Sequence, residues 1–414
     1  MFTSFSTALS ALAAHATAVD VVGNNLANLN TPGFKSSAVA FYDLVTQSLG
    51  AGLGETQVGF GVARPLTLRQ FSQGAIQTTS GPLDAAIQGD GFLVVKGRAD
   101  AIQYSRGGNL QVDKYGSLLT ATGEKVQGWT EKGGTLSTIG PVGDIVVPVG
   151  SLKAAVPTTS LSLDLNLNAS ATAGPPPDQF STSIEVYDSL GAAHVVTVTF
   201  AKSSTVNQWD YSMSIPDADV SSPVTPVTGT LTFDGQGKLA DPPLAGPLPG
   251  FQITGLADGA YDLNCTWQLY NGATARLTQY AQPSAVSANA QDGSPAAQLV
   301  RVGLADGGKI LAQHSNGQQI VVGQLAMAAV RNPESLISVG NNNYQLSART
   351  ALPAIGTPGT GGRGTIIGSA VENSTVDIAR EFTNLIVLQR GYQANARVIT
   401  AVDELSQETI NLKR

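Results

Sequence analysis

Residues 373–412 read NSTVDIAREFTNLIVLQRGYQANARVITAVDELSQETINL, and the spacing of the apolar residues in this stretch organises everything else. Ile378, Phe382, Leu385, Tyr392, Ala396, Ile399, Val402, Leu405 and Leu412 recur at threes and fours, with Gln389 and Thr409 as polar gaps. That is the period of a helix with one buried face. Arg380, Glu381, Arg390, Arg397, Glu404, Glu408 and Lys413 lie mostly off the stripe. Ser374, followed by Asp377, supplies a candidate N-cap and an acid for the first turn. A helix of this length reaches about 60 Å at ~1.5 Å per residue. It exceeds the usual globular helix, so the stripe predicts a coiled-coil-like partner.

The partner stripe lies at the other end of the chain. Phe5, Leu9, Leu12, Ala16, Val19, Val22, Leu26 and Leu29 repeat at the same spacing, flanked by Ala, Ser and Thr, with Asp20 as the only charge. A helix so poor in charge is not a typical solvated surface helix, and its composition predicts packing on more than one side. The two stripes can close on each other within one chain, as an ordinary helix pair, or on copies in other molecules.

At 414 residues the chain is long enough for two or three domains of ~100–200 residues each. Charged residues make up 13%, about half the usual ~25%, and the net charge is −7 without a basic cluster. Nucleic acid is therefore not an expected partner. The single cysteine, Cys265, excludes an intramolecular disulfide and reads as a small strand residue. With His15, His194 and His314 scattered, no zinc cluster can be drawn, and neither a metal nor a cofactor is expected. The first 22 residues carry no Lys or Arg ahead of the apolar part, and their apolar residues are spaced, unlike a signal peptide. No apolar run approaches the ~18 residues of a bilayer span, so membrane insertion is not expected. Leaving the cell would require a route other than a cleaved leader.

Between the stripes the signal is β. The first helix should end at Asn30-Thr31-Pro32-Gly33. Residues 34–70, with Gly50-Ala51-Gly52-Leu53-Gly54, read as an extended connector having little core. Residues 71–149 hold short strands such as Phe92-Leu93-Val94-Val95 between Gly-rich turns, and 271–352 continue them, making a first β domain. Residues 150–270 read as an inserted β domain: Leu161, Leu163, Leu165 and Leu167 alternate strictly, and Asp188-Ser189-Leu190-Gly191 is a hairpin turn. Residues 353–370 read as a loop and 371–414 as the C-terminal helix, matching an N-terminal helix within 1–33. The expected fold class is mixed α and β: a coiled-coil-like hairpin of terminal α-helices plus two all-β domains, nested.

Catalytic motifs are missing. Gly359-Thr360-Gly361-Gly362-Arg363-Gly364 formally matches G-x-G-x-x-G but lacks the strand and helix that a dinucleotide site requires. Asp258 and Asp262 read as a solvated turn, and His194 sits beside a strand. A β-rich enzyme or adhesin with such ends would need a clustered acid, histidine or metal site in the insert, and the sequence displays none.

Three separated motifs resemble those of the bacterial flagellar rod and hook proteins. The first runs from Gly23, Asn24 and Asn25 through Asn28, Thr31, Gly33, Phe34 and Lys35; the second is Ala86-Ile87-Gln88-Gly89-Asp90-Gly91-Phe92. The third joins Glu381-Phe382-Thr383-Asn384-Leu385-Ile386 to Gln389, Arg390, Gly391, Tyr392, Gln393, Ala394 and Asn395. Arg390–Asp403 and the phrases around Asn332-Pro333-Glu334 and Gly340–Tyr344 are most similar to hook members; rod members are usually shorter and are the alternative. The resemblance implies a structural subunit, not an enzyme, exported through the flagellar type III apparatus without a cleaved signal peptide. It implies self-polymerisation beneath a hook cap protein into a curved hollow tube, a universal joint between distal rod and the hook–filament junction proteins. The terminal helices would form an inner core and the inserted domain would lie outermost. The stripe residues Phe5, Leu9, Leu12, Val19, Leu26, Ile378, Phe382, Leu385, Tyr392, Ile399, Val402 and Leu405 would carry polymerisation.

Overall fold

The computed structural model describes residues 2–44, 46–48, 57–97, 100–222 and 224–411. Leu412, Lys413 and the spacer Gly50-Ala51-Gly52-Leu53-Gly54 lie outside the described residues. The chain forms two compact units: Met1–Val149 with Arg301–Gln313 and Gln319–Arg414, and Gly150–Val300 with His314–Gln318.

Two helices bracket the first unit, α1 (Phe2–Ala27) and α2 (Ile378–Asn411). They pack antiparallel: Val22 and Glu381 line one groove, and farther along His15 meets Gly391. A Cβ at Gly391 would stand 2.7 Å from the His15 ring, so the glycine lets the helices approach there. The buried face of α1 is Ala8, Ala14, Ala18, Val22 and Asn25. Small side chains dominate this face, and apart from Val22 the bulkier stripe is left at the edge or outside. The expected cap also moves. Asp377, not Ser374, caps α2, its Oδ1 accepting the N–H groups of Ala379 at 2.9 Å and Arg380 at 3.1 Å. A carboxylate at this position satisfies orphan donors and favours the positive end of the helix dipole.

By length and composition Ser4–Ala27 is apolar enough to cross a bilayer, with a mean hydropathy of 1.3. Run length understated this, because alanines between the larger residues keep the mean high. A packed helix with an alanine face has the same composition.

The connector is more structured than expected. Ser37–Ala40 pairs antiparallel with Leu66–Arg69, and Thr46–Ser48 with Gln57–Gly59. The ribbon runs along α1, with the Val62 N–H donating to Ser10 Oγ at 3.2 Å and the Phe41 ring 5.5 Å from His15. The β body of this unit centres on Phe92, Val94, Tyr104, Trp129, Ala326, Ala328 and Tyr344. Phe71, Phe92 and Tyr344 meet edge to face at 5.3–5.7 Å, the arrangement favoured by the ring quadrupoles. The expected loop 353–370 contributes strands: Thr365–Gly368 pairs with Ala85–Gln88, and Ala370–Glu372 pairs with Ile76–Thr78 just before α2.

The second unit is a β-sandwich. One sheet contains Ser160–Asn168 flanked by Leu263–Trp267, Leu277–Tyr280 and Ala285–Gln291; the other runs from Gln179–Tyr187 through Ala193–Lys202, Gln208–Ser214 and Val227–Phe233 to Leu239–Asp241. Leu161, Leu163, Leu165 and Leu167 face Val196, Val198, Phe200, Trp209, Tyr211 and Met213 across one core. The return to the first unit comes near residue 300, not 271, because the strands at 277–280 and 285–291 hydrogen-bond to Ser160–Asn168. Their weak alternation hid this pairing. Trp267 is fully buried, with Tyr211 edge-on at 5.3 Å and Phe200 at 6.1 Å. Trp267→Ala should destabilise the second unit by about 3–5 kcal/mol. Urea unfolding followed by far-UV circular dichroism measures it, and a loss near zero would mean that the sandwich core closes over the gap.

Candidate functional site

The turn after α1 carries most of the first motif, and its residues converge on one point. Asn25 is fully buried at the helix end. Its Nδ2 donates to Ser37 O at 2.8 Å, and its Oδ1 accepts from Ser37 N–H at 3.0 Å, so the side-chain amide pairs with a backbone as a strand would. Asn28 donates to Asn24 O at 2.9 Å and accepts from the Thr31 hydroxyl at 3.1 Å, which closes the last turn. Gly33 has φ +72°, and a Cβ there would stand 2.5 Å from Arg106 O. Both the backbone conformation and the space require glycine. Its N–H donates to Glu372 O at 2.7 Å.

Two residues on, Lys35 is buried with Phe34. Its Nζ lies 2.6 Å from Glu372 Oε1 and donates to Ser72 O at 2.6 Å; the side chains of Lys35 and Glu372 are 0% and 1% exposed. The other carboxylate oxygen faces Arg106 Nη1 at 3.3 Å, while the Gly74 N–H donates to Oε1 at 2.7 Å. Arg106 Nη2 donates to Gly89 O at 3.0 Å, and its guanidinium stacks 5.2 Å from the centre of the Phe92 ring. Burial pushes the Lys35 pKa down; the hydrogen bond to Glu372 opposes this, and the nearby Arg106 charge adds to it. The network ties the end of α1, the segment Ser72–Gly74, the β body and the strand leading into α2 to one carboxylate.

The exposed surface of the helix pair is apolar. On α1, Phe5 is 41% and Leu9 53% exposed, while Leu12, Val19 and Leu26 are half-buried. On α2, Ile378, Phe382, Tyr392 and Leu405 are 44–55% exposed, whereas Leu385, Ile399 and Val402 are half-buried. Ile386, Val387, Val398 and Ile410, outside the expected stripe, are also exposed. Between α1, the connector and α2 runs a groove of about 350 Å³ that includes Val22, Phe41, Glu381 and Val387. Glu381 Oε2 is buried there without a hydrogen-bond partner.

The motif residues thus divide. Asn25, Gly33, Phe34 and Lys35 meet at the anchor; Gly23, Asn24, Gln389 and Arg390 lie on the surface; Asn395 is half-buried and donates to Gly391 O at 2.9 Å. Sequence reasoning missed Glu372 and Arg106, which hold the anchor together. One signal was available: an acid directly after the apolar pair Ala370-Val371, just ahead of the helix. Glu372→Gln should cost about 3–5 kcal/mol, because it leaves two buried cations without their counter-charge. Urea denaturation of the first unit measures this, and a loss under ~1 kcal/mol would mean that water or another group already neutralises Lys35 and Arg106.

Comparison with known proteins is consistent along the whole chain. The family described as "Flagella basal body rod protein" matches residues 5–35, and "Flagellar hook protein FlgE/F/G D1 domain" matches 86–164. "Flagellar basal body protein FlaE D2 domain" matches 162–294, and "Flagellar basal body rod FlgEFG protein C-terminal" matches 367–412. The flagellar hook protein FlgE of Treponema pallidum is 32% identical over 464 residues, covering 100% of both chains. That of Escherichia coli is 31% identical over 421 residues, covering 99% of this chain and 100% of its own. Among solved structures, the Helicobacter pylori flagellar hook protein FlgE2 is similar in fold with a TM-score of 0.50 at 15% identity, over 68% of this chain and 98% of that one. With identity above 30% sustained from end to end, the chain belongs to the flagellar hook protein FlgE family.

Proposed function

We propose that the chain is the structural subunit of a flagellar hook, that it polymerises through the exposed faces of α1 and α2 into a curved hollow tube, and that it is not an enzyme. The observation that carries this reading is the apolar surface left on the helix pair. Phe5, Leu9, Ile378, Phe382, Ile386, Val387 and Tyr392 stand 41–63% exposed in a chain whose helices already bury another face. So many large apolar side chains left exposed along one helix pair mark an interaction site. Covering each half-exposed side chain contributes on the order of 1 kcal/mol, enough in sum for a neighbouring copy to hold the helices firmly. The surface motif residues Gly23, Asn24, Gln389 and Arg390 would then face the neighbour.

A joint that turns while bent needs a stiff inner contact and outer contacts that rearrange cheaply. Interlocked helices supply the first. The charge-poor β surfaces would meet through weak, wet contacts that supply the second. Its other partners on this reading are the hook cap, the distal rod, the hook–filament junction proteins and the type III export apparatus, which the chain would enter without a cleaved leader. A rod subunit would share the ends but not the insert, and would build straight tubes.

Leu9→Asp and Phe382→Asp should each abolish tube formation, seen by negative-stain electron microscopy and sedimentation, while the β spectrum in circular dichroism is retained. Tubes of normal yield from both variants would overturn the reading. Straight tubes from the unaltered protein would favour the rod alternative.

A further inference from the structure

At one end of the sandwich unit, loops from both sheets bring acids around a single histidine. Asp188 opens the turn between the strands Gln179–Tyr187 and Ala193–Lys202, and His194 stands at the start of the second strand. Asp258 comes from the loop between Gly250–Ile253 and Leu263–Trp267 in the other sheet, and Asp219 from the short helical turn Asp217–Asp219. His194 Nε2 lies 3.1 Å from Asp188 Oδ2 and 4.0 Å from Asp258 Oδ2, and one ligand atom from each of the three residues falls within 4.8 Å of the others. We propose that Asp188, His194 and Asp258 bind one divalent transition-metal ion of the zinc type, clipping the hairpin turn of one sheet to the loop of the other.

Two features point to a cation and not to a surface cluster of acids. The first is the imidazole. His194 is 6% exposed, and its Nδ1 makes no hydrogen bond although it lies 3.4 Å from Asp219 Oδ2. A neutral imidazole has one N–H and one lone pair. With carboxylates on both sides, whichever nitrogen lacks the proton directs its lone pair at an anion. A metal on Nε2 resolves this: the lone pair binds the ion, and Nδ1–H turns to Asp219. A carboxylate behind a metal-bound histidine is the usual outer partner.

The second feature is Asp188. It is fully buried, and its Oδ1 accepts the N–H groups of Leu190 at 2.8 Å, Gly191 at 2.7 Å and Ala192 at 2.9 Å. These bonds lock the carboxylate with Oδ2 aimed at the histidine. A carboxylate fully buried with one oxygen aimed at His194 and Asp258 calls for a cation there, and a divalent ion supplies it to both acids together. One imidazole nitrogen with carboxylate oxygens suits zinc and its neighbours better than calcium or magnesium. Separations of 3.1 and 4.0 Å bracket the edge of about 3.4 Å expected for tetrahedral ligands ~2.0–2.2 Å from the ion.

The test uses the full chain after chelator treatment, titrated with Zn²⁺ by calorimetry and with Co²⁺ by visible absorption. One ion should bind per chain, with the d–d bands of a low-coordinate site. Asp258→Asn, in an exposed loop, and His194→Gln should abolish this binding, with folding checked by circular dichroism. Asp219→Asn should weaken it about 10-fold, and His314→Gln should leave it unchanged. No uptake by the unaltered chain, or uptake that Asp258→Asn leaves untouched, would overturn the proposal.

Discussion

Glu372 gives the first unit its connectivity. One carboxylate sits between Lys35, at the exit of the first helix, and Arg106, in the β body, while its own backbone leads into the second helix. None of the three is favourable inside the protein alone. Each ion loses several kcal/mol of hydration on burial, and only close pairing with additional hydrogen bonds offsets this. The Ser72 carbonyl, the Gly74 N–H and the Gly89 carbonyl provide those bonds. The arrangement therefore exists only when all four segments are in register, which makes it a device for fixing geometry more than for adding stability. Gly33 serves the same end by letting the chain turn against the Arg106 backbone, where a side chain would collide.

With the base of the helix pair held this way, the two helices can use their faces for different purposes. The buried, alanine-rich face of α1 lies inside the first unit, and Gly391 against His15 lets the pair close within the chain. Small residues suffice there because the anchor already sets the helices' positions. The large residues are thereby released to the outside. A subunit designed to be a stable monomer would do the reverse, burying Phe and Leu and exposing Ala. The distribution seen here suits a protein whose helices complete their packing only among copies of itself.

The sandwich unit follows another logic. Its core is closed by the chain's own residues, with Trp209, Trp267 and Phe200 fully buried, so it owes nothing to neighbours for its fold. Loops carry its chemistry. The acids around His194 come from segments that the strands bring to one end, and the strand framework sets their spacing.

Periodicity alone determined that both ends are helices and that the middle is β, since threes and fours or strict alternation leave few other structures able to bury one face. It also located Leu161–Leu167 in a core, while the Asn-Thr-Pro-Gly punctuation and the family motif, not periodicity, singled out the turn around Asn25–Lys35. Which helix face turns inward was not legible, because α1 has two apolar faces, one large and one small, and a one-dimensional pattern does not rank them. The late return near residue 300 was hidden because edge strands such as Ala285–Gln291 are mostly exposed and so carry no alternation. Glu372 with Lys35, 337 positions away, and the gathering of Asp188, His194 and Asp258 were decided only by the tertiary structure. A charge reveals its role through what surrounds it, and those surroundings come from segments that are distant along the chain.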